Sequence, residues 1–239
     1  LSEILTKLYL KHLELTDIEN IDYRSYPFNL HIVKNIETVT FEKAVTFILG
    51  ENGVGKSTFI EALAVALGLN PEGGTNNSRF SNEGTVSKLY QHIRTIKTVY
   101  PIRHAFFLRA ESLYLLERQL NSYYEGEDFH AFSHGEGLLN IVNRYFRPNR
   151  IFILDEPESA LSPTSQFLLL RLIHDFASNH GCQFIIATHS PILAAYTNGD
   201  IYELSEDSIV KKSYLDTNLY ALYHRFINDD EYRQKIIEE

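Results

Sequence analysis

The chain has 239 residues, 44% hydrophobic and 22% charged, which suits one globular domain with length enough for a substantial core. Its longest apolar runs, such as Phe167–Leu170 and Val45–Leu49, fall far short of the ~20 residues that cross a bilayer, which excludes a self-contained transporter; no sustained heptad pattern supports a long coiled coil either. With 31 acidic against 22 basic residues the net charge is −9, which argues against a general nucleic-acid coat but leaves room for a local basic patch.

The lone Cys182 excludes an internal disulfide and a cysteine-rich zinc site. Together with the lack of a signal-like opening, it predicts a reducing, cytoplasmic setting. Methionine is absent and Leu1 comes first, which predicts that the natural start is missing from this stretch.

In chain order, Tyr9–Leu15 alternates like a half-buried strand. Thr38–Leu49 reads as strand, turn, strand, the second strand buried on both faces. Lys56–Leu67 carries apolar residues at helical spacing and is closed by Gly68. Residues 70–83, rich in Gly, Asn and Ser, read as a surface loop. Leu89, Ile93 and Ile96 suggest a short helix, with strand as the alternative. Ala105–Leu108 is a short buried strand, Ser112–Leu120 and Leu138–Tyr145 are helical, and Ile151–Leu154 is another buried strand. The helix Ser165–Ser178, the strand Gln183–Ala187, a hairpin from Ile201–Leu204 and Ile209–Lys211, and a helical tail over 218–239 complete the chain. Strands alternating with helices predict an α/β fold with a parallel sheet.

Three strand ends carry chemistry. After Val45–Leu49 comes GENGVGKST, Gly50 to Thr58, the spacing of a phosphate-binding loop between strand and helix. Gly50, Gly53 and Gly55 let the backbone curl so that successive N–H groups face phosphate oxygens, Asn52 is a further nucleotide-binding position of the loop, and the helix that follows adds its positive end. Lys56 is placed for the β- and γ-phosphates, the Ser57 hydroxyl for Mg²⁺, and Thr58 for the α-phosphate. The strand Ile151–Leu154 runs into Asp155 and Glu156, the first a metal carboxylate and the second a polariser of the attacking water. The strand Gln183–Ala187 ends in Thr188-His189-Ser190, which makes His189 a candidate sensor of the γ-phosphate. Ser133, in FSHGEG just before a helix, supplies a further anion site or a plain helix cap.

Taken in order, the phosphate loop, SHGEG (Ser133–Gly137), DEPESALSP (Asp155–Pro163) and FIIATHSPIL (Phe184–Leu193) resemble the ATP-binding-cassette (ABC) ATPases. With FFLRAES (Phe106–Ser112), they are similar to compact soluble bacterial AAA-family ATPases related to RecF and SMC heads. The resemblance implies a P-loop NTPase fold: a mostly parallel sheet flanked by helices, in a single domain over 1–239. A small helical lobe near 112–150 carries the signature motif, and a helical tail covers 212–239. It implies ATP hydrolysis with Mg²⁺, catalysed by Lys56, Glu156 and His189. It further implies an ATP-dependent homodimer in which Ser133 and Gly135 act on the other subunit's nucleotide and Ser159-Ala160-Leu161 lines the contact. The chain departs from the family's pattern at three points. His134 stands where Gly is frequent, Ser162 where Asp is frequent, and no Gln follows Ala105–Leu108, so that Glu111, or with less support Arg109, is nearest to the metal-sensing glutamine. Tyr26 and Phe28 are upstream aromatics for adenine, with accidental placement as the alternative.

Too few positions separate Lys56 from Ser133 for a coiled-coil arm, so the resemblance implies an isolated head. Its first expected role is an ATP-driven switch in nucleic-acid maintenance or antiphage defence, acting with a separate effector such as a nuclease. The alternative is the motor subunit of a membrane transporter whose permease is a separate chain. Arg144, Arg147 and Arg150, interleaved with Tyr145 and Phe146, are the candidate nucleic-acid contact, set against a helix end with favourable cations.

Overall fold

A computed structural model describes residues 7–36, 38–75, 87–109, 145–159 and 161–238. The segments expected to form the helices Ser112–Leu120 and Leu138–Tyr145 lie outside these residues, except Tyr145, as does most of the loop after Thr75. Among the described residues no helix is long and apolar enough to cross a membrane.

Among the described residues the main sheet has seven strands. Five are parallel or central to the parallel set: β3 (Val45–Gly50), β6 (Ala105–Arg109), β7 (Ile151–Asp155), β8 (Gln183–Ala187) and β9 (Asp200–Leu204). With β4 (Gly74–Thr75) and β10 (Ile209–Lys212) at the edges, the order is β10-β9-β3-β8-β7-β6-β4. The pairs β9–β3, β3–β8, β8–β7 and β7–β6 are parallel, and the two edge strands pair antiparallel. A second, three-stranded antiparallel sheet joins β2 (Thr38–Thr40), β1 (Leu10–Leu15) and β5 (Ile93–Lys97).

Continuous apolar runs become central strands because both faces are covered. Along Ile151-Phe152-Ile153-Leu154 successive side chains enter opposite layers. Ile151 and Ile153 join Phe59, Ile60 and Leu63 of helix α2 (Lys56–Ala66), together with Leu10, Leu13 and Val39 of the small sheet. Phe152 and Leu154 join Leu169, Ile173 and Ala177 of helix α3 (Pro163–Asn179). This second layer is aromatic: Phe152 stacks on Phe184 at 4.9 Å, and Phe146 packs on Phe152 at 4.5 Å.

The expected α/β architecture is present. Gly68, at φ 83, closes α2 with a pair of C-terminal bonds, from Gly68 N–H to the Val65 carbonyl and from Leu69 N–H to the Ala64 carbonyl. Where Leu89, Ile93 and Ile96 suggested a helix, the chain instead forms a 3₁₀ turn over Lys88–His92 and then strand β5; pairing with β1 over five residues outweighs the helical spacing. The glycine-rich loop contributes Gly74–Thr75 as an edge strand on β6. The tail forms two helices, Asn218–Asn228 and Asp230–Glu238, parted at the extended Asp229. Two short helices, α1 (His31–Asn35) and α4 (Pro191–Ala194), were not anticipated.

Candidate functional site

The carboxyl ends of β3, β8 and β7 are neighbours, so the topology brings the phosphate loop, Asp155-Glu156 and His189 to one edge of the sheet. The loop leaves β3 at Gly50, where φ is 150° and an added Cβ would stand 2.7 Å from the Leu204 carbonyl oxygen. At Gly55 φ is 103° and a Cβ would meet Ile32 Cγ2 at 2.6 Å. Only glycine fits either place, which accounts for the spacing of the motif. Asn52 and Gly53 form the exposed crest of the loop. No side chain caps the N-terminus of α2, so its first amides stay available to an anion. Beside the loop a cavity of about 270 Å³ opens between Glu51, Asn52, His189, Leu204 and Leu222.

Lys56 is only 4% exposed, and its Nζ donates to the Glu51 carbonyl at 2.9 Å. Burial pushes its pKa down, opposed by the charges of Glu156, Asp155, Glu51 and Glu158. One buried cation thus stands among four carboxylates, a balance suited to a polyphosphate arriving with a divalent cation. The donor set fits Mg²⁺: the Ser57 hydroxyl donates to Asp155 Oδ1 at 3.2 Å, so a hydroxyl and a carboxylate oxygen meet where phosphates and waters would complete the shell.

Asp155 is held from its other side. Arg109, its register partner on β6, has Nε 4.0 Å from Asp155 Oδ2 and NH1 2.7 Å from Glu61 Oε2 on α2. Glu61 also accepts the Ser87 amide at 3.1 Å. Arg109, the less favoured candidate for the missing glutamine, thus stands beside Asp155; Glu111 lies outside the described residues.

Glu156 sits in the left-handed region, φ 48°, which turns its carboxylate out of the strand while its N–H donates to the Ala187 carbonyl at 2.9 Å. Its Oε1 lies 3.2 Å from His189 Nε2, close but out of line for a hydrogen bond. The His189 amide donates to Glu158 Oε1 at 2.7 Å. Sequence reasoning did not single out Glu158; its partner is far along the chain, and no spacing signal marks it.

Other expectations divide. Tyr26, 64% exposed, places its hydroxyl 3.2 Å from Thr58 Oγ1, beside the loop. Phe28 is buried edge-on against His92 and is unavailable to a base. Ser162 caps α3, accepting the Ser165 amide at 3.2 Å, which accounts for a serine there. Of the expected contact segment, Ser159 is exposed, Leu161 is buried, and Ala160 lies outside the described residues, as do Ser133, His134 and Gly135. Phe146 belongs to the core and Arg147 bonds the Phe146 carbonyl, so the expected basic–aromatic nucleic-acid surface is not formed at Phe146; Arg144 lies outside the described residues.

Known proteins resemble this arrangement. An uncharacterized ABC transporter ATP-binding protein of Haemophilus influenzae is 26% identical over 201 residues, covering 73% of this chain and 75% of its own length. The phosphate import ATP-binding protein PstB of Oceanobacillus iheyensis is 26% identical over 232 residues, 79% of this chain and 83% of its own. Of some other matching relatives the chain spans about a third of the length. In fold it is similar to cbiO1 of Clostridium perfringens, part of the ABC transporter complex cbiONQ, with TM-score 0.52 and 15% identity over 97% of this chain and 98% of that one. The family model described as an AAA domain matches residues 18–172. With that match spanning both the phosphate loop and the Asp155-Glu156 strand end, the chain belongs to the AAA domain family and is an ABC-type ATPase.

Proposed function

We propose that the chain is the ATP-binding motor subunit of a membrane transporter whose spanning parts are separate chains, and that it works at the cytoplasmic face as an ATP-dependent homodimer. In this reading Lys56 and the backbone of Gly50–Thr58 bind the nucleotide's phosphates, with Tyr26 beside them. Ser57 and Asp155 would hold Mg²⁺, which would neutralise phosphate charge. Glu156 accepts a proton from the attacking water, whose oxygen bonds to the γ-phosphorus as the bridging oxygen leaves with ADP. His189 orients that water or the γ-phosphate. Ser133 and Gly135 of the second subunit cover the phosphate.

The observation that carries the hydrolytic part is the meeting of Lys56, Ser57, Asp155, Glu156 and His189 at one sheet edge. The transport role is supported by the relatives, whose names are those of transport ATP-binding proteins. It takes precedence over the nucleic-acid role that the sequence alone put first. The relatives named above carry transport names, and Phe146 of the nucleic-acid candidate surface is in the core.

The test uses Glu156→Gln, which should bind ATP, fail to turn it over, and sediment as a dimer with ATP and a monomer without. Where a permease gene lies beside this one, the same variant co-expressed with that permease should fractionate with membranes. A monomer at every ATP concentration overturns the dimer. A wholly soluble chain that binds DNA in a salt-dependent manner overturns the transport role.

A further inference from the structure

We propose that Glu158 is a positioning residue for hydrolysis: it ties the turn after β7 to His189, so that Glu156 and the imidazole move as one unit. The turn is closed by the Ser159 amide and hydroxyl on the Glu156 carbonyl, at 3.1 and 3.0 Å, and by the Leu161 amide on the Glu158 carbonyl at 2.8 Å. From it the Glu158 side chain crosses to the end of β8. There Oε1 accepts the His189 amide at 2.7 Å, and the nearby Thr188 hydroxyl favours the charged carboxylate.

These bonds fall where the sheet stops supporting the chain. The last ladder-type bond on this strand is from the Thr188 amide to the Ile48 carbonyl; His189 is one residue beyond it, and its amide turns to Glu158. Thr188 in turn accepts the Ser190 amide at 3.0 Å, so Glu158 holds a turn that includes the residue on either side of His189. One short segment thus meets His189 from two directions: Glu156 faces the ring, and Glu158 holds its backbone.

The placement is unfavourable for folding. Burial pushes the Glu158 carboxyl up against the hydrogen bonds that pull it down, and its Oε2 is buried without a partner among the described residues. His189 Nε2 is likewise buried without a hydrogen bond there. A carboxylate serving packing alone could be replaced at less cost by an apolar side chain. Because Ser159 and Leu161 belong to the segment expected to meet a second subunit, closure of a dimer would reach His189 through Glu158.

The inference rests on the proposed action of His189, so both residues are varied. ATP affinity by calorimetry, steady-state hydrolysis and the His189 ring resonances are measured on Glu158→Ala, Glu158→Gln, Glu158→Asp and His189→Ala in the full chain. Glu158→Ala is expected to lower kcat by ~10–100-fold, the usual effect of losing an outer partner of a reactive group, with ATP affinity held within a few-fold. Glu158→Gln keeps an acceptor for the His189 amide and should recover most of that loss; Glu158→Asp is too short to reach and should not. The ring resonances should move in the Ala and Asp variants and stay near wild type in the Gln variant. Wild-type kcat in Glu158→Ala beside an impaired His189→Ala overturns the role of Glu158 alone. Wild-type kcat in His189→Ala overturns the reading of His189 and this inference with it. Should Glu158→Ala fail to fold, equal losses in the Gln and Asp variants overturn the hydrogen-bond argument.

Discussion

Lys56→Met should separate folding from nucleotide binding. The lysine stem is buried at the start of α2, and methionine fills similar volume without the charge. Burial is the largest influence on Lys56 and outweighs the four carboxylates around it, so its folded pKa is depressed. A cation held below its unfolded pKa opposes folding. The cost is full below the folded pKa, and it is relieved as the pH rises through that value toward the unfolded one near 10.5. Removing the charge should therefore leave the nucleotide-free chain as stable or more stable. Discounted for solvent screening at the open face of the loop, the gain is about 1 kcal/mol or less, or up to ~2–4 °C in Tm for a chain of this size. ATP binding should fall far more. Losing a charge-assisted contact to phosphate costs roughly 2–3 kcal/mol, a factor of ~30–150 in Kd. Thermal melts with and without Mg-ATP, repeated from neutral pH toward 10, read both effects, and the variant's stability advantage should shrink as the pH rises. A nucleotide-free variant that melts more than ~4 °C below wild type would show that Lys56 is held for structure, and would refute the reasoning.

Gly55→Ala combines a strained φ of 103° with a Cβ driven into Ile32; together these should cost roughly 2–5 kcal/mol, seen as a lower urea midpoint, and a change under 1 kcal/mol would show that the loop relaxes freely. Arg109→Gln removes a positive charge 4.0 Å from Asp155, so half-saturation of nucleotide binding by Mg²⁺ should come at several-fold lower concentration, and an unchanged Mg²⁺ titration would disconnect Arg109 from the metal carboxylate. Phe146→Ala empties a site shared with Phe152, Phe176 and Phe184 and should lose about 3–5 kcal/mol in denaturant unfolding, whereas a surface aromatic serving nucleic acid would lose almost none.

The central sheet was legible because strands covered on both faces read as unbroken apolar runs. The phosphate loop was legible because Gly50 and Gly55 answer to backbone space that admits no Cβ. The small sheet was not. Leu89, Ile93 and Ile96 fit a helical face as well as the strand they partly form, and only the pairing with Leu10–Leu15, distant in sequence, decides. Phe146 misled for a related reason. Flanked by arginines it resembles a surface aromatic, yet its neighbours in space are phenylalanines of two strands and a helix. Carboxylate geometry was the least legible: Glu156, Glu158 and Asp155 are near neighbours in one acidic turn, and their partners, His189, the His189 amide and Ser57, come from other elements.

That division follows from what each residue does for stability. Residues that favour folding form periodic patterns, since burial acts on faces and layers. Several site residues oppose folding: a buried lysine, a glutamate at φ 48°, two glycines without room for a methyl group, and a carboxylate oxygen and an imidazole nitrogen buried without hydrogen-bond partners among the described residues. No periodicity selects such groups, because burial on faces and in layers does not favour them; the lysine and the glycine amides gain when a charged phosphate enters. The aromatic layer behind β7 and β8 offsets their cost and fixes the strand ends from which they project. On this argument the loop and the two strand ends should be the part of the sheet most stabilised by nucleotide. In hydrogen exchange with Mg-ATP the amides of Gly53–Ser57 and Thr188–Ser190 should gain protection, while those of Ile151–Leu154 change little. Uniform protection across all three segments would mean that the site is not preorganised by the core behind it.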